Sequence, residues 1–256
     1  MANISYTFLS TYKKCHRRAF LQYILKVVPP DQIDNRPFIV GIVVDWLFNK
    51  WVTEHSYEEG WMKENAEDLF EWFITKRKVR FKDSSDKASL IDKTVYSCEK
   101  LEEIAFAEHL PERVFETQHE VSFDRGSIHY YGKLDMWFPE ELAIWDLKVT
   151  KYSKYLDKFQ LQFFAWMMEE CYGVKVSQLR FMSPLMVPAV KEVEWNPVIK
   201  HEVEEAVTTL NFSIANKDWK ITSKDCWNCP VARYCEEPTD VKKRTKNDKG
   251  GFVLEV

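Results

Sequence analysis

Two apolar stretches with alternating polarity, residues 127–138 and 142–149, constrain the fold more than any other feature of the sequence. A Pro-Glu-Glu turn separates them, and this pattern predicts a tight antiparallel β-hairpin. If the turn is centred on its two glutamates, Asp135 lies directly opposite Asp146, with the two Cβ atoms about 5 Å apart. Lys148 follows Asp146 by two residues and therefore shares its face of the strand. The hairpin thus concentrates two carboxylates and one ammonium group in a small patch.

Such a patch has two interpretations. Like charges opposite each other destabilise a sheet, and a cation that binds both carboxylates would relieve this cost. Mg²⁺ and similar hard cations prefer carboxylate oxygens and usually keep waters and substrate phosphates as further ligands. The alternative is a solvated strand face on which a lysine lies between two acids. Spacing alone leaves both interpretations open.

The rest of the chain predicts helices packed around a sheet. The predicted helices span residues 5–26, 38–51, 61–78, 94–110, 155–171 and 198–216. The predicted strands span residues 114–123, 127–138, 142–149, 177–182 and 188–195. The polar run KDSSDKAS, residues 82–89, is predicted to be a loop. This order indicates an α/β fold with a central mixed β-sheet flanked by helices.

The sequence divides into four predicted regions. Residues 1–110 form a helical region, and residues 111–216 form the core that carries the hairpin. Residues 217–237 contain a cysteine-rich motif. Residues 238–256 are charged and end in an apolar run, which predicts a flexible tail or a tip that binds a partner.

Composition excludes several classes of protein. The chain has 45% apolar and 30% charged residues, and no apolar run is long enough to predict a membrane span. The N-terminus has no secretory signal pattern, so we expect a cytoplasmic protein. The seven glycines form neither a G-x-G-x-x-G motif nor a P-loop, which excludes the commonest nucleotide-binding loops. With a net charge of −4, any nucleic-acid binding must use a local basic surface.

Three cysteines lie close together near the C-terminus, at Cys226, Cys229 and Cys235. Nothing in the sequence indicates an oxidising compartment, and a chain of this length does not need disulfides to fold. These cysteines are therefore better interpreted as thiols or metal ligands. Metal sites of this kind usually have four ligands, and this part of the chain contains three cysteines.

Four motifs together resemble those of a known family. The hairpin sequences GKLDMW and LAIWDLKVT resemble the G-h-h-D and h-h-D/E-x-K core of the PD-(D/E)XK nuclease superfamily. KFQLQFFAW resembles the Q-h-x-x-Y motif of the RecB-like branch. ISYTFLSTYKKCHRRAFLQYI and CWNCPVARYC resemble the two cysteine signatures of members with an iron–sulfur cluster. Such members include the AddB nuclease domain and the CRISPR-associated spacer-acquisition exonucleases, and the resemblance covers nearly the whole chain.

The resemblance implies a restriction-endonuclease-like core that hydrolyses phosphodiester bonds with one or two Mg²⁺ or Mn²⁺ ions. The implied metal ligands are Asp45, Asp135, Asp146 and the backbone carbonyl of Leu147. Lys148 is implied to orient or deprotonate the attacking water and to offset negative charge in the transition state. Gln160 is implied to position Lys148 or the scissile phosphate; the alternative is an amide on a helix surface.

The sequence departs from the family pattern at two positions. The family usually has G-x-x-x-H on the second helix, whereas here Gly41 is followed four residues later by Asp45. Aspartate also binds Mg²⁺ and Mn²⁺, so the change is compatible with activity, although a partly buried helix charge is the alternative. The second departure is Phe164, which stands where a tyrosine is usual and lacks its hydroxyl.

A further acid is expected on the first strand of the core, because family members often carry a glutamate there. Glu120 has the expected spacing before the hairpin aspartate, and we predict it as an additional metal ligand. The register of the 124–127 turn instead places Glu116 opposite Asp135. An exposed strand acid is the alternative for Glu120.

The cysteine signatures imply a [4Fe–4S] cluster that joins the two ends of the chain and has a structural role. Its implied ligands are Cys15, Cys226, Cys229 and Cys235. Cys98 and Cys171 fall in helical patterns and are interpreted as small apolar residues. Zinc is the less favoured occupant, because zinc ribbons usually have two C-x₂-C pairs and this chain has one.

Three basic stretches are candidates for contacts with DNA, and solvated charge at helix ends is the alternative for each. The third of them covers residues 242–246. The candidate residues in the first two stretches are Arg17, Arg18, Lys76, Arg77, Lys78 and Arg80. Neighbouring aromatic residues such as Trp72 and Phe73 are suited to stacking on unpaired bases.

The leading hypothesis is a DNA exonuclease that acts on single strands or DNA ends in recombination, repair or DNA-fragment processing, in a phage or a prokaryote. One alternative is a catalytically weakened nuclease fold that binds DNA or assembles with other proteins. Asp45 and Phe164 favour that alternative, whereas the intact Asp135, Asp146 and Lys148 argue against it. A zinc-stabilised interaction protein is a further alternative. A homo-oligomer or a recombination or repair partner is compatible with the leading hypothesis.

Overall fold

The computed structural model describes residues 2–27, 36–194, 197–222, 226, 229–235, 244–246 and 252–254. The chain forms two compact units. The larger unit comprises residues 34–123 and 131–203, and the smaller comprises residues 1–33, 124–130 and 204–256. These boundaries cut across the four predicted regions, because both ends of the chain belong to the smaller unit. Within the described ranges, no helix has the length and apolarity needed to cross a membrane.

In the described ranges, seven α-helices and eight strands follow one another. Helices α1 to α7 span Tyr6–Lys14, His16–Ala19, Arg36–Thr53, Trp61–Arg77, Ser84–Ala107, Lys158–Tyr172 and Pro197–Asn216. Strands β1 to β8 span Ala2–Ile4, Glu116–Arg125, Ile128–Phe138, Ala143–Leu147, Gln178–Met182, Val190–Val193, Arg244–Lys246 and Phe252–Leu254. A π-helical turn covers Phe20–Ile24, and 3₁₀ turns cover Leu110–Glu112, Ser153–Tyr155 and Ala232–Tyr234.

The larger unit contains a mixed sheet. Strand β3 pairs antiparallel with β4, β4 pairs parallel with β5, and β5 pairs antiparallel with β6. Strand β2 also pairs with β3. The parallel β4–β5 pair needs a crossover, which α6 provides. All five residues of β4 are buried, as expected for a strand covered on both faces. The predicted α/β class with a central mixed sheet flanked by helices is confirmed.

Helices α3, α4 and α5 pack with the hairpin strands into one apolar core. Helix α3 is apolar over most of its surface, which accounts for its burial in this core. Buried members of the core include Trp51 of α3, Phe70 of α4, Leu101 of α5 and Trp145 of β4. The core therefore fixes the helix that carries Asp45 against the sheet.

Helix α5 begins earlier than the sequence predicts. The polar run at residues 82–89 is not a loop, because Ser84 already starts the helix. The Asp83 side chain caps it by accepting a hydrogen bond from the Asp86 N–H. This first part of α5 lies largely towards solvent and so lacks the apolar periodicity by which helices are predicted.

The predicted first helix, residues 5–26, is not continuous. Helix α1 ends at Lys14, and Cys15 has extended backbone angles before α2 begins at His16. The Cys15 N–H still donates to the Thr11 carbonyl, so the break occurs in the next turn. Because an extended residue leaves the helical path, the buried Cys15 side chain is no longer part of the periodic helix face.

The smaller unit joins the N-terminal helices to the end of the chain. Strand β1 pairs in parallel with residues 128–130. The Tyr12 hydroxyl lies 2.8 Å from Ser213 Oγ and donates to the Thr209 carbonyl at 3.0 Å. The Phe20 ring stacks on Trp219. These contacts connect α1 and the following turn to α7 and the segment after it.

The C-terminal tail contains regular structure in its described part. Strands β7 and β8 pair antiparallel, with Thr245 opposite Val253. Backbone hydrogen bonds pair these two short strands, and the flexibility predicted for the tail as a whole stays a prediction. The other tail residues lie outside the described ranges.

Candidate active site

Strands β3 and β4 form the predicted hairpin in the predicted register. Met136 pairs with Trp145 in the predicted register, and Asp135 and Asp146 each lie one residue beyond this pair. The Leu147 N–H donates to Asp135 Oδ2 at 2.8 Å. This hydrogen bond fixes the Asp135 carboxylate across the end of the hairpin, beside the Asp146 strand.

Asp146 is the most deeply placed acid of the site, with a relative exposure of 1%. The Lys148 ammonium lies 2.6 Å from its Oδ2. The Gln160 amide donates to its Oδ1 at 2.9 Å. Gln160 is in the first turn of α6, whose N-cap is the Asp157 side chain. The hairpin and the following helix thus meet at one carboxylate, and Gln160 contacts Asp146 instead of lying free on a helix surface.

Burial has the largest effect on the pKa of each charged group at this site, followed by the charges of neighbouring lysines and carboxylates. Burial raises the pKa of Asp146 to about 7; Lys148 opposes this rise and Asp135 adds to it. Burial and the charge of Asp45 raise the pKa of Asp135 to about 6. Burial lowers the pKa of Lys148, but the two hairpin carboxylates outweigh it and the net shift is upward. Burial therefore disfavours the ionised form of both hairpin carboxyls, and the ammonium of Lys148 offsets part of this effect.

Asp45 reaches the same site from helix α3. Burial raises the pKa of this carboxyl, and the negative charge of Asp146 adds to the rise. The Gln118 amide donates to Asp45 Oδ1 at 3.1 Å. One helical turn further on, Asn49 is hydrogen-bonded to Thr117. Two successive residues of β2 thus hold α3 in place, and Asp45 lies close enough to Asp135 and Asp146 to affect their charges.

Gln118 has an unusual backbone for a strand residue, with a φ of 54°. A left-handed residue interrupts the two-residue alternation of a strand and redirects its side chain. Such strained residues occur often at functional sites. Sequence periodicity could not predict this irregularity, and the role of Gln118 was missed for that reason.

Lys133 is a second residue that the sequence analysis missed. It lies two residues before Asp135 on β3 and therefore shares its face. Its positive charge lowers the pKa of Asp45 and of Asp135, against the stronger effect of burial. The two-residue period of a strand, which placed Lys148 beside Asp146, also places Lys133 beside Asp135 and could have predicted it.

Gly132 and Phe164 are packed directly against each other. A Cβ atom built on Gly132 would lie 3.0 Å from Phe164 Cε1 and 3.1 Å from Met167 Sδ. Both neighbours are buried residues of α6. The glycine of the hairpin motif is thus required for the close approach of α6 to β3, and Phe164 contributes apolar packing where a tyrosine was expected.

Oxygen donors suitable for a hard divalent cation surround this site. The carboxylates of Asp45, Asp135 and Asp146 repel one another, and a cation bound between them would remove that repulsion. In the described part of the chain, no three histidine, cysteine or acidic side chains are already grouped closely enough to hold a metal ion. The donor set fits Mg²⁺ or Mn²⁺ in its chemistry, and the ligand roles, including that of the Leu147 carbonyl, stay predictions.

Glu120, the predicted additional ligand, is exposed on strand β2. Gln118 of the same strand makes the described contact with Asp45. The Glu116 carboxylate, the other acid considered, lies 2.6 Å from His119 Nδ1. The place of Glu120 in the metal site stays a prediction.

The four cysteines predicted as cluster ligands lie near one another in the smaller unit. Burial raises the pKa of Cys235, and the thiols of Cys15, Cys226 and Cys229 raise it further. The Cys229 N–H donates to the Cys226 carbonyl at 3.3 Å, which closes the C-x₂-C turn. All four are free thiols. The donor set fits a metal or an iron–sulfur cluster, and the identity of the ligand stays a prediction.

Arg17 and Arg18, predicted to contact DNA, lie beside these thiols. Burial raises the pKa of Cys229, and the Arg18 guanidinium opposes the rise. Arg17 has the same effect on Cys235, and its guanidinium carbon lies 5.4 Å from the centre of the Phe20 ring. Both arginines are only half-exposed. A contact with DNA from this position stays a prediction.

The second basic stretch lies at the end of helix α4. Lys76 Nζ is 5.8 Å from the centre of the Trp72 ring, and the Arg77 guanidinium is 5.7 Å from that of Phe73. The candidates Lys76, Arg77, Lys78 and Arg80 are all exposed. Exposed charge at a helix end agrees equally with DNA contact and with plain solvation, so both interpretations remain.

Comparisons with known proteins give one family. The sequence matches the PD-(D/E)XK nuclease superfamily over residues 3–236. A Eubacterium rectale protein described as a candidate exonuclease has a similar structure, with a TM-score of 0.57 and 13% sequence identity over 93% of this chain and 91% of that chain. The protein SSO0001 gives a TM-score of 0.36 and 12% identity over 77% of this chain and 96% of that chain. The curated proteins contain no match.

The first of these structures shares the fold with this chain, whereas the TM-score of the second is too low to support an argument. The superfamily match over residues 3–236, together with the mixed α/β sheet, supports a nuclease. The chain belongs to the PD-(D/E)XK nuclease superfamily, whose members generally use divalent metals. The predicted superfamily is confirmed, whereas the RecB-like branch and the cluster remain predictions.

Proposed function

We propose that this protein is a Mg²⁺- or Mn²⁺-dependent DNA exonuclease that hydrolyses phosphodiester bonds in single strands or at DNA ends. The observation that carries the proposal is the meeting of Asp135 and Lys148 around the buried Asp146 in a member of a nuclease superfamily. Recombination, repair or DNA-fragment processing is the setting in which such an activity acts.

Each residue of the site has a separate task in this proposal. Asp45, Asp135, Asp146 and the Leu147 carbonyl would hold the metal. When bound, the metal lowers the pKa of a coordinated water and neutralises charge on the phosphate. Lys148 provides an ammonium group 2.6 Å from Asp146 and thus a positive charge for the phosphate in the transition state.

Gln160 acts on the carboxylate in this mechanism. Its amide donates to Asp146 Oδ1, while the ammonium of Lys148 lies at Oδ2. Because each oxygen has one of these contacts, the two together restrain the orientation of the Asp146 carboxylate. Gln160 is therefore proposed as a positioning residue that acts through Asp146, next to Lys148, one of the two groups it was predicted to position.

A structural cluster in the smaller unit is part of the same proposal. Cys15, Cys226, Cys229 and Cys235 would hold a [4Fe–4S] cluster, with zinc as the alternative occupant. Such a ligand closes a loop of roughly 200 residues between Cys15 and Cys226, and closure of a loop of this length removes about 4–5 kcal/mol of unfolded-chain entropy by the disulfide estimate. Its role would be to hold the two ends of the chain together.

The proposal is tested by incubating purified protein with end-labelled single-stranded and duplex DNA, with Mg²⁺, Mn²⁺ or no divalent cation. We expect metal-dependent shortening of the labelled strand. We also expect that Asp146→Ala and Lys148→Ala abolish it while circular dichroism stays unchanged. Asp92→Ala, at an exposed position of α5, is the matched control and should cleave normally.

Two outcomes would contradict the proposal. Undiminished cleavage by Asp146→Ala would remove the assigned catalytic site. Binding of DNA without cleavage under every metal condition would favour the weakened nuclease fold that only binds DNA or assembles with other proteins.

A further inference from the structure

A short loop of exposed aromatic and basic residues lies between two members of the proposed active site. Residues 151–155 have the sequence Lys-Tyr-Ser-Lys-Tyr and connect the segment after Lys148 to the helix that carries Gln160. All five residues are exposed. Tyr152 is 50% exposed and Tyr155 is 59% exposed. Exposed aromatic rings next to a catalytic centre indicate a surface that contacts a ligand.

Hydrogen bonds hold this loop in one conformation. Ser183, just after β5, donates through Oγ to the Thr150 carbonyl at 2.7 Å. The Thr150 side chain accepts from the Tyr152 N–H at 3.2 Å. The 3₁₀ turn at Ser153–Tyr155 is closed by the Tyr155 N–H, which donates to the Tyr152 carbonyl at 3.1 Å. The two tyrosines thus lie on a hydrogen-bonded turn that is attached to the end of strand β5.

Both tyrosine rings are accompanied by lysine ammonium groups. Lys151 Nζ lies 5.1 Å from the centre of the Tyr152 ring. Lys154 Nζ lies 5.5 Å from the centre of Tyr152 and 5.1 Å from that of Tyr155. The next acid along the chain, Asp157, accepts a hydrogen bond from the Phe159 N–H as the cap of α6. The loop therefore presents positive charge and aromatic faces together.

We propose that the 151–155 loop binds the unpaired DNA strand next to the scissile phosphate. Tyr152 and Tyr155 stack on bases, and Lys151 and Lys154 contact the phosphates that flank them. The inference rests on the proposed nuclease function and names the part of the substrate that this loop recognises. Because paired bases keep their faces covered by their neighbours, the loop favours a single strand over duplex DNA.

The composition of the loop favours nucleic acid over a protein partner. Lysine is depleted at the centre of protein interfaces, whereas basic and aromatic residues together are typical of surfaces that bind single strands. Position adds a second argument, since the chain enters the loop three residues after Lys148 and leaves it five residues before Gln160. A strand bound here lies beside the site where its backbone would be cut.

The test measures binding separately from cleavage, by fluorescence anisotropy of a labelled oligo(dT) without divalent cation and at several salt concentrations. For Tyr152→Ala combined with Tyr155→Ala, we expect affinity to fall at least about fivefold per tyrosine, with the salt dependence unchanged. Tyr152→Phe combined with Tyr155→Phe should bind normally, because the rings are kept. Lys151→Ala combined with Lys154→Ala should reduce the slope of log K against log salt concentration by about 0.7 per lysine.

Tyr96 provides a matched control in the same unit. It is 49% exposed on α5, and Lys100 Nζ lies 5.9 Å from its ring centre, so Tyr96→Ala removes a similar tyrosine–lysine pair away from the active site. Tyr96→Ala should bind like the wild-type protein. Equal affinity of the wild-type protein and the double tyrosine-to-alanine variant would overturn the loop assignment, even in an active nuclease. Weakened binding in a protein that never cleaves DNA would instead overturn only the proposed function.

Discussion

The carboxylate site and the four-cysteine group are assembled in opposite ways. In the carboxylate site, most of the residues come from one continuous stretch, the hairpin and the first turn of α6. In the cysteine group, Cys15 lies near three other cysteines that are more than two hundred positions away, from Cys226 onwards. The first site is built by local strand pairing, and the second by contacts between the two ends of the chain.

This difference predicts how the residues of each site affect the stability of the folded protein. The carboxylates lie in a fold that the apolar core already holds together, so their mutual repulsion is tolerated at a cost. Three of the thiols lie in the short turns around residues 226–235, and Cys15 lies at the break between α1 and α2. Substitution of a carboxylate should therefore raise the free energy of unfolding of the metal-free protein. Substitution of one of the cysteines should lower the free energy of unfolding.

The strongest test of this comparison is Asp135→Asn, which should reduce cleavage about a thousandfold, because a charged oxygen donor is lost. The same substitution should raise the free energy of unfolding of the metal-free protein by about 1–2 kcal/mol. An asparagine oxygen can still accept the Leu147 N–H, and the repulsion by Asp45 disappears. Urea unfolding and cleavage of labelled DNA measure the two effects.

The stability gain from Asp135→Asn should depend on pH. The folded protein holds the Asp135 pKa above its ordinary value, at about 6. Ionisation of Asp135 therefore destabilises the fold, and wild-type stability is lost as the pH rises from the unfolded pKa through about 6. The gain should be larger at pH 8 than at pH 5. A loss of stability at pH 8 would show that the carboxylate is compensated without metal.

The opposite effect is expected for Cys226→Ser. If the thiols hold the proposed cluster, the variant should lose iron and about 4 kcal/mol of unfolding free energy, through loss of the long loop closure. Iron analysis and urea unfolding of anaerobically purified protein check both. Cys171→Ser is the control, because its thiol lies outside the cysteine group and donates to the Ser122 carbonyl at 3.4 Å, which a hydroxyl can also do. Stoichiometric zinc without iron would contradict the cluster assignment.

The sequence predicted the parts of the site that depend on strand alternation. The register that brings Asp135 near Asp146 followed from the turn, and the position of Lys148 beside Asp146 followed from the two-residue period. It could not predict Gln118, because a left-handed residue breaks the strand pattern. Nor could it predict the break at Cys15, since the flanking residues retain helical periodicity on both sides.

The helix boundaries show the same limit. Helices that bury an apolar face, such as α6, lie close to their predicted position. The first part of α5 has no such face and was missed, although Asp83 caps it with a side-chain hydrogen bond. Periodicity reports burial, so it fails where a helix or strand is stabilised by capping or by an isolated polar contact.

A smaller effect is expected where the hairpin packs on α6. Gly132→Ala places a Cβ atom 3.0 Å from a buried Phe164 ring, and we expect it to lower the unfolding free energy by about 1–2 kcal/mol. Gly41→Ala in α3 is the control of opposite sign. No atom lies within 4 Å of its added Cβ, so it should stabilise the helix by about 0.5–1 kcal/mol. Urea unfolding of both variants measures the pair, and equal shifts would contradict the close packing.

The smallest expected effect is the difference in cleavage rate between variants of Gln118 and Glu120 on strand β2. Gln118→Ala removes the amide that donates to Asp45 Oδ1, which should reduce cleavage about fivefold while leaving the charge of the site unchanged. Glu120→Ala, at an exposed position of the same strand, should change cleavage less than twofold if this glutamate is not a ligand. Cleavage rates measured across a Mn²⁺ titration distinguish the two residues. A large loss in Glu120→Ala that excess Mn²⁺ restores would instead establish the predicted additional ligand, and the carboxylate site would then draw on β2 through Glu120 as well as through Gln118.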